Sequence, residues 1–125
     1  MGNLLAVCCH AADISDRAGA QTLLAALIGR FPRLATIWAD QGYSGPDTID
    51  WVQATLGVTL EIVERPPGSH GFQVLPRRWV VERSIAWWGR NRRLSKDYEK
   101  YAATTEGVIW SSEAARLLNH VTKAA

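Results

Sequence analysis

The chain has 125 residues, 47% of them hydrophobic and 9% aromatic, which is enough for one soluble domain with a core of its own. It contains no run approaching the roughly 18 apolar residues of a membrane helix. Its first ten residues lack the basic start and cleavage site of a secretory signal, so a cytoplasmic protein is the default expectation. The net charge is only +2, yet residues 77–100 hold eight basic and three acidic side chains, a local charge of +5 that leaves −3 for the rest. Such a basic block suits an anionic partner, most commonly nucleic acid inside a cell, whereas a solvated helix face is the plainer reading.

In chain order, residues 4–10 (LLAVCCH) form a short apolar run that predicts a buried strand. Asp16 can cap the next segment, where Ala20, Leu23, Leu24, Leu27 and Ile28 recur at helical spacing until Gly29 and Pro32 end it. Residues 36–39 (TIWA) predict a second strand that runs into a tight loop, DQGYSGP, marked by its glycines and proline. Residues 46–56 predict a short helix with Asp47 and Asp50 near its start, and residues 59–63 a third strand. A linker rich in breakers, residues 65–71 (RPPGSHG), precedes renewed helical spacing from Arg77 to about Arg90. A last helix is expected from Thr104 to about Val121, capped by Thr104 or Thr105, with Glu106 in its first turn and Lys123 near its end. Alternating strands and helices predict an α/β fold, although three strands are few for a sheet of that class.

Two places carry chemical content. Asp40 follows a strand directly and opens a glycine-containing turn, at the strand end where α/β proteins usually place ligands. On spacing alone the plainer reading is an Asp that only caps its loop. On the helix around Glu82, a wheel at 100° per residue puts Val80, Val81, Ser84, Ile85, Trp87 and Trp88 on one side. Arg78, Glu82, Arg83, Ala86, Gly89, Arg90 and Arg93 fall on the other, so a single carboxylate sits among arginines beside two small residues that leave room for a bulky anion. The alternative is an ordinary Arg78–Glu82 pair, worth about 0.3 to 0.5 kcal/mol.

Residues 74–83 (VLPRRWVVER), followed by Ala86-Trp87, Arg90, Arg92-Arg93-Leu94 and Lys96-Asp97-Tyr98-Glu99, closely resemble the final catalytic block of transposases of the insertion sequence five superfamily. Residues 38–45 (WADQGYSG) look like the second block of that family, and residues 11–17 (AADISDR) resemble the segment before it. The resemblance covers essentially the whole chain. It implies an incomplete ribonuclease H-like fold spanning residues 1–125, in a family where three carboxylates hold two divalent ions, Mg2+ or Mn2+, for cutting and joining DNA at transposon ends. Two ions suit an in-line displacement, since one activates the attacking hydroxyl and the other stabilises the leaving oxygen.

By position, Asp40 matches the second of these carboxylates and Glu82 the third, so both are the implied catalytic metal ligands. Arg78 matches an arginine expected to grip DNA phosphate with its planar fork. Arg83, Arg90, Arg92, Arg93 and Lys96 extend the DNA-binding set. The chain departs from the family pattern at Leu75, where a tyrosine is expected, and at Gly89, where a lysine is expected; Arg90 is the nearest replacement for that lysine.

The resemblance also implies that the first carboxylate lies on a central strand ahead of the segment matching residues 1–4. Asp13 and Asp16 are the nearest upstream carboxylates, and neither is a good substitute because both belong to the loop before the first helix. The expectation is a marginal, aggregation-prone sheet with an open edge at residues 36–39 unless an upstream transposase polypeptide completes it. A downstream reading frame and a truncated copy both fit. Catalysis by the chain alone is then not expected, and a non-catalytic DNA-binding or interfering fragment, or a remnant without function, stands as the competing reading. Trp79 is a candidate for base stacking, whereas Trp87 and Trp88 belong to the apolar face. The adjacent Cys8 and Cys9 make a poor disulfide pair, and His10, His70 and His120 are too scattered for a metal site.

Overall fold

The structure is a computed structural model and describes residues 2–64, 68 and 79–124. The expected linker and the residues up to Arg78 lie mostly outside the described residues. The chain divides into two compact units, Ala12–Trp79 and a second one composed of Met1–Ala11 with Val80–Ala125.

The first unit is built on β1 (Thr36–Ala39) and β2 (Thr59–Ile62), which pair in parallel. Parallel strands need a long crossover, and α2 (Pro46–Leu56) provides it. Proline at its start costs no hydrogen bond there, because the first amides of a helix have no partner inside it. Gly57 ends α2 at φ 69°, a left-handed cap that only glycine adopts without strain, and donates its N–H to Gln53 O at 3.0 Å. The period of two along each strand sorts the side chains. Ile37 and Ala39 pack on the core of Val52, Val58 and Leu60, while Trp38 stays 45% exposed. Across the register Trp38 meets Glu61, and its indole N–H donates to Glu61 Oε2 at 2.6 Å.

Helix α1 (Asp16–Ala25) covers the same core through Leu24. Its cap is Ser15, whose hydroxyl accepts from Ala18 N at 3.3 Å, so Asp16 is the first helical residue and not the cap as the spacing predicted. The helix also stops before Leu27 and Ile28. Their amides bond three residues back, to Leu24 O and Ala25 O, which tightens the chain into turns while still burying Leu27.

In the second unit residues 2–11 form no strand, contrary to the reading of LLAVCCH. Among the described residues no strand pairs with this segment, and the N–H of Cys9 instead donates to the Glu106 carboxylate at 2.7 Å. Helix α3 (Trp79–Gly89) runs into a 3₁₀ turn at Arg92–Leu94 capped by Asn91, and α4 (Ala102–Ala124) follows. Helix α4 starts ahead of both threonines expected to cap it: the amides of Thr104 and Thr105 already bond to Tyr101 O at 2.9 and 3.3 Å.

The packed side of α3 differs from the face the wheel selected. Val80, Arg83, Ser84, Trp87 and Trp88 are half-buried, whereas Val81 and Ile85 are each 57% exposed. The inward side is turned toward Arg83 because its guanidinium lies 4.7 Å over the Trp87 ring, a contact that a hydrophobicity wheel does not count. Arg116 of α4 also stands over that ring, at 4.6 Å. Its Nη2 donates to Gly2 O at 3.0 Å and, with Nε, to Glu113 Oε2. Glu113 is 4% exposed and accepts from the Trp88 indole at 2.8 Å through its other oxygen. The two helices and the amino-terminal segment are thus tied by a polar latch.

Candidate functional site

Asp40 stands where β1 ends, and the chain turns there because Asp40 caps a 3₁₀ turn at Gln41–Tyr43. Its Oδ1 accepts the Gly42 amide at 3.0 Å, which fixes the direction of an exposed carboxylate. Space around the turn is tight: a methyl group on Gly42 would lie 3.1 Å from Asp40 Oδ1 and 3.8 Å from Asp16 Oδ2. Asp16 and Asp40 therefore border the same glycine. Three residues on, Gly45 adopts φ 141°, and a side chain there would also meet the Arg17 guanidinium at about 3.8 Å. Tyr43 completes the group. Burial pushes its hydroxyl pKa above the usual tyrosine value, and the charges of Asp16 and Asp40 raise it further.

From spacing alone Asp16 is a residue of the loop before the first helix. The fold instead brings it, with Arg17 and Tyr43, to the carboxyl end of β1. Hydrophobic spacing carries no sign of that approach, since it depends on how α1 packs on α2 and on the turn after β1.

Glu82 lies in the first turn of α3, where a negative charge suits the helix dipole, and is exposed. Asp40 and Glu82 belong to different units. Among the described residues no three His, Cys, Asp or Glu side chains are gathered to hold a metal ion.

The basic residues behave differently from one another. Arg83 is half-buried on Trp87, and Arg93 is ion-paired with Glu99. Arg90, Arg92 and Lys96 are exposed around the end of α3 and the turn after it. Arg78 lies outside the described residues. Trp79, the candidate for base stacking, is 46% exposed. Cys8 and Cys9 are both free thiols. Burial raises the Cys9 pKa above its ordinary value, and the neighbouring Glu106 adds to that, which disfavours a reactive thiolate.

A strand-end carboxylate in an α/β unit and a second carboxylate on a helix followed by the exposed Arg90, Arg92 and Lys96 suit a domain that works on nucleic acid. The chain matches the family model of the transposase DDE domain over residues 1–114 and belongs to that family. No curated protein and no solved structure matches it. Among the described residues no helix is long and apolar enough to cross a membrane.

Proposed function

We propose that the chain is part of the catalytic domain of an insertion-sequence transposase, of ribonuclease H-like fold, that cuts and joins DNA at transposon ends with Mg2+ or Mn2+. The observation that carries this reading is the family match over residues 1–114, within which Asp40 occupies a strand end with its carboxylate oriented by the Gly42 amide. Asp40 and Glu82 are exposed oxygen donors of the kind such hard cations take, and they would hold the ions. When bound, the metal would lower the cost of forming the attacking oxygen nucleophile and of charge on the leaving oxygen. The protein's own part is to orient Asp40 through the Gly42 N–H, to present Glu82 from a helix start, and to neutralise backbone phosphates with Arg78, Arg90, Arg92 and Lys96. Arg83 and Arg93 have a lesser part in this reading, since each already meets a partner in its own unit.

By the family resemblance, the first of three carboxylates has no counterpart among these 125 residues. We infer that these 125 residues on their own are inactive, or nearly so, and that activity needs a polypeptide segment bearing the first strand as well. The test is strand transfer in Mg2+ on the DNA end of its own element, with and without that polypeptide. Activity is expected only with it, and Asp40→Asn or Glu82→Gln should then remove at least about 100-fold of the rate, on the order of 2.7 kcal/mol in the barrier. Robust transfer by the chain alone, or full activity of both variants, would sink the proposal.

The exposure of Arg90, Arg92 and Lys96 favours a second reading, a DNA-binding fragment that works without metal. Its mark is binding that weakens steeply with salt and survives replacement of Asp40 and Glu82.

A further inference from the structure

Helix α4 leaves a continuous apolar stripe uncovered. Ala103, Gly107, Trp110, Ala114, Leu117 and Val121 follow one another at alternating spacings of four and three, the repeat of a helix that pairs with another helix. With Leu118 they span an arc of about 100° that holds no charged or polar residue. All of them are exposed, Leu118 at 66% and Val121 at 65%. The opposite side of α4 is already used: Ile109 is buried in the unit, Glu113 is tied to Trp88, and Glu106 to the backbone of Cys9. The stripe is therefore a second face, and packing within the unit does not account for it.

We propose that this face pairs antiparallel with α4 of a second copy of the chain. Side-chain size selects that occupant. In the antiparallel register that sets Trp110 against Ala114 of the second copy, Gly107 meets Leu117 and Ala103 meets Val121. Every layer then joins a small residue to a larger one, and the two-fold axis repeats each contact. A parallel pair would instead stack Trp110 on Trp110 and leave Gly107 opposite Gly107, crowding one layer and emptying another. The same antiparallel register brings Glu106 level with Leu118 of the second copy, two positions from its His120. It also sets the two helix dipoles in opposition. The pairing is independent of the proposed catalytic role, since none of these residues belongs to the metal or DNA set.

The test is the mass of the full 125-residue chain in solution, by sedimentation or light scattering at micromolar concentration. A dimer is expected. Trp110→Glu and, separately, Val121→Glu should each raise its dissociation constant by at least about 100-fold with unchanged helical circular dichroism. Ala115→Glu, on α4 but outside the stripe, should leave the dimer intact. Orientation is read in a Cys8→Ser, Cys9→Ser background: mixing Ala103→Cys with Val121→Cys chains should give an intermolecular disulfide, while neither alone should. A folded monomer, a dimer indifferent to Trp110→Glu, or a disulfide between two Val121→Cys chains would each overturn the proposal.

Discussion

The two compact units are held together by different physics. The unit Ala12–Trp79 is contiguous in sequence and closes on an apolar core of Val52, Val58 and Leu60, with strands, crossover helix and α1 all supplying aliphatic side chains. The other unit joins residues 2–11 to residues 80–124, and its longest-range ties are polar: Cys9 N to Glu106, and Arg116 to Gly2 O. Its buried hydrophobic side chain is Ile109, whereas Val81, Ile85, Trp110 and Leu118 are exposed. An apolar core tolerates modest reshaping, but a buried ionic latch fails when one partner goes, because the survivor keeps its desolvation cost.

The largest expected effect therefore lies in the latch. Glu113→Ala removes the acceptor for both Arg116 and Trp88 and should cost about 3 kcal/mol or more, read as faster hydrogen exchange of the α3 and α4 amides. Burial alone would raise the Glu113 pKa, but the hydrogen bonds from Arg116 and Trp88 and the Arg116 charge outweigh it and hold the carboxyl below its usual range. A carboxylate depressed in the folded state contributes stability above its unfolded pKa, about 4.3, and loses it as pH falls through the lower folded value. The stability gap between the native chain and Glu113→Gln should accordingly be constant near neutrality and close in acid. A gap that persists in acid would mean that the latch acts by shape and not by charge.

In the sheet unit the matching perturbation is milder. Val52 is fully buried beneath both strands, and Val52→Ala removes two methyl groups, so about 2 kcal/mol is expected, without pH dependence, from denaturant unfolding. If Val52→Ala proves costlier than Glu113→Ala, the contrast between core and latch is reversed.

The same contrast explains what could be read from the sequence. Strand β1 and helix α2 sit at the bounds read from the sequence, residues 36–39 and 46–56, because turn chemistry and composition are local. Residues 4–10 misled. Their composition fits a strand, yet a strand exists only when another pairs with it, and here Cys9 bonds to a side chain instead. The inward turn of α3 was hidden for a related reason, since an arginine that stacks on Trp87 counts as polar on a wheel but packs as part of the interior. Asp40 and Glu82 stood out through the family resemblance; their spacing alone left each open to a purely structural role.

Asp16 gives the smallest effect and the finest discrimination. With Ser15 as the cap, Ser15→Ala should destabilise α1 by about 1 kcal/mol, while Asp16→Asn loses only a dipole interaction of roughly 0.3 to 1 kcal/mol. The loss is partly offset, because Asp16 also shares the edge of Gly42 with Asp40, and removing one of two like charges relieves repulsion. Tyr43 reports that relief directly. Both aspartates raise its pKa, Asp16 more than Asp40, so Asp16→Asn should lower the Tyr43 titration midpoint further than Asp40→Asn does, as followed by NMR of the ring. An unmoved Tyr43 would show that Asp16 does not approach the end of β1. The Asp16–Asp40 pairing would then have to be withdrawn, leaving Asp40 the lone carboxylate of its unit at that strand end.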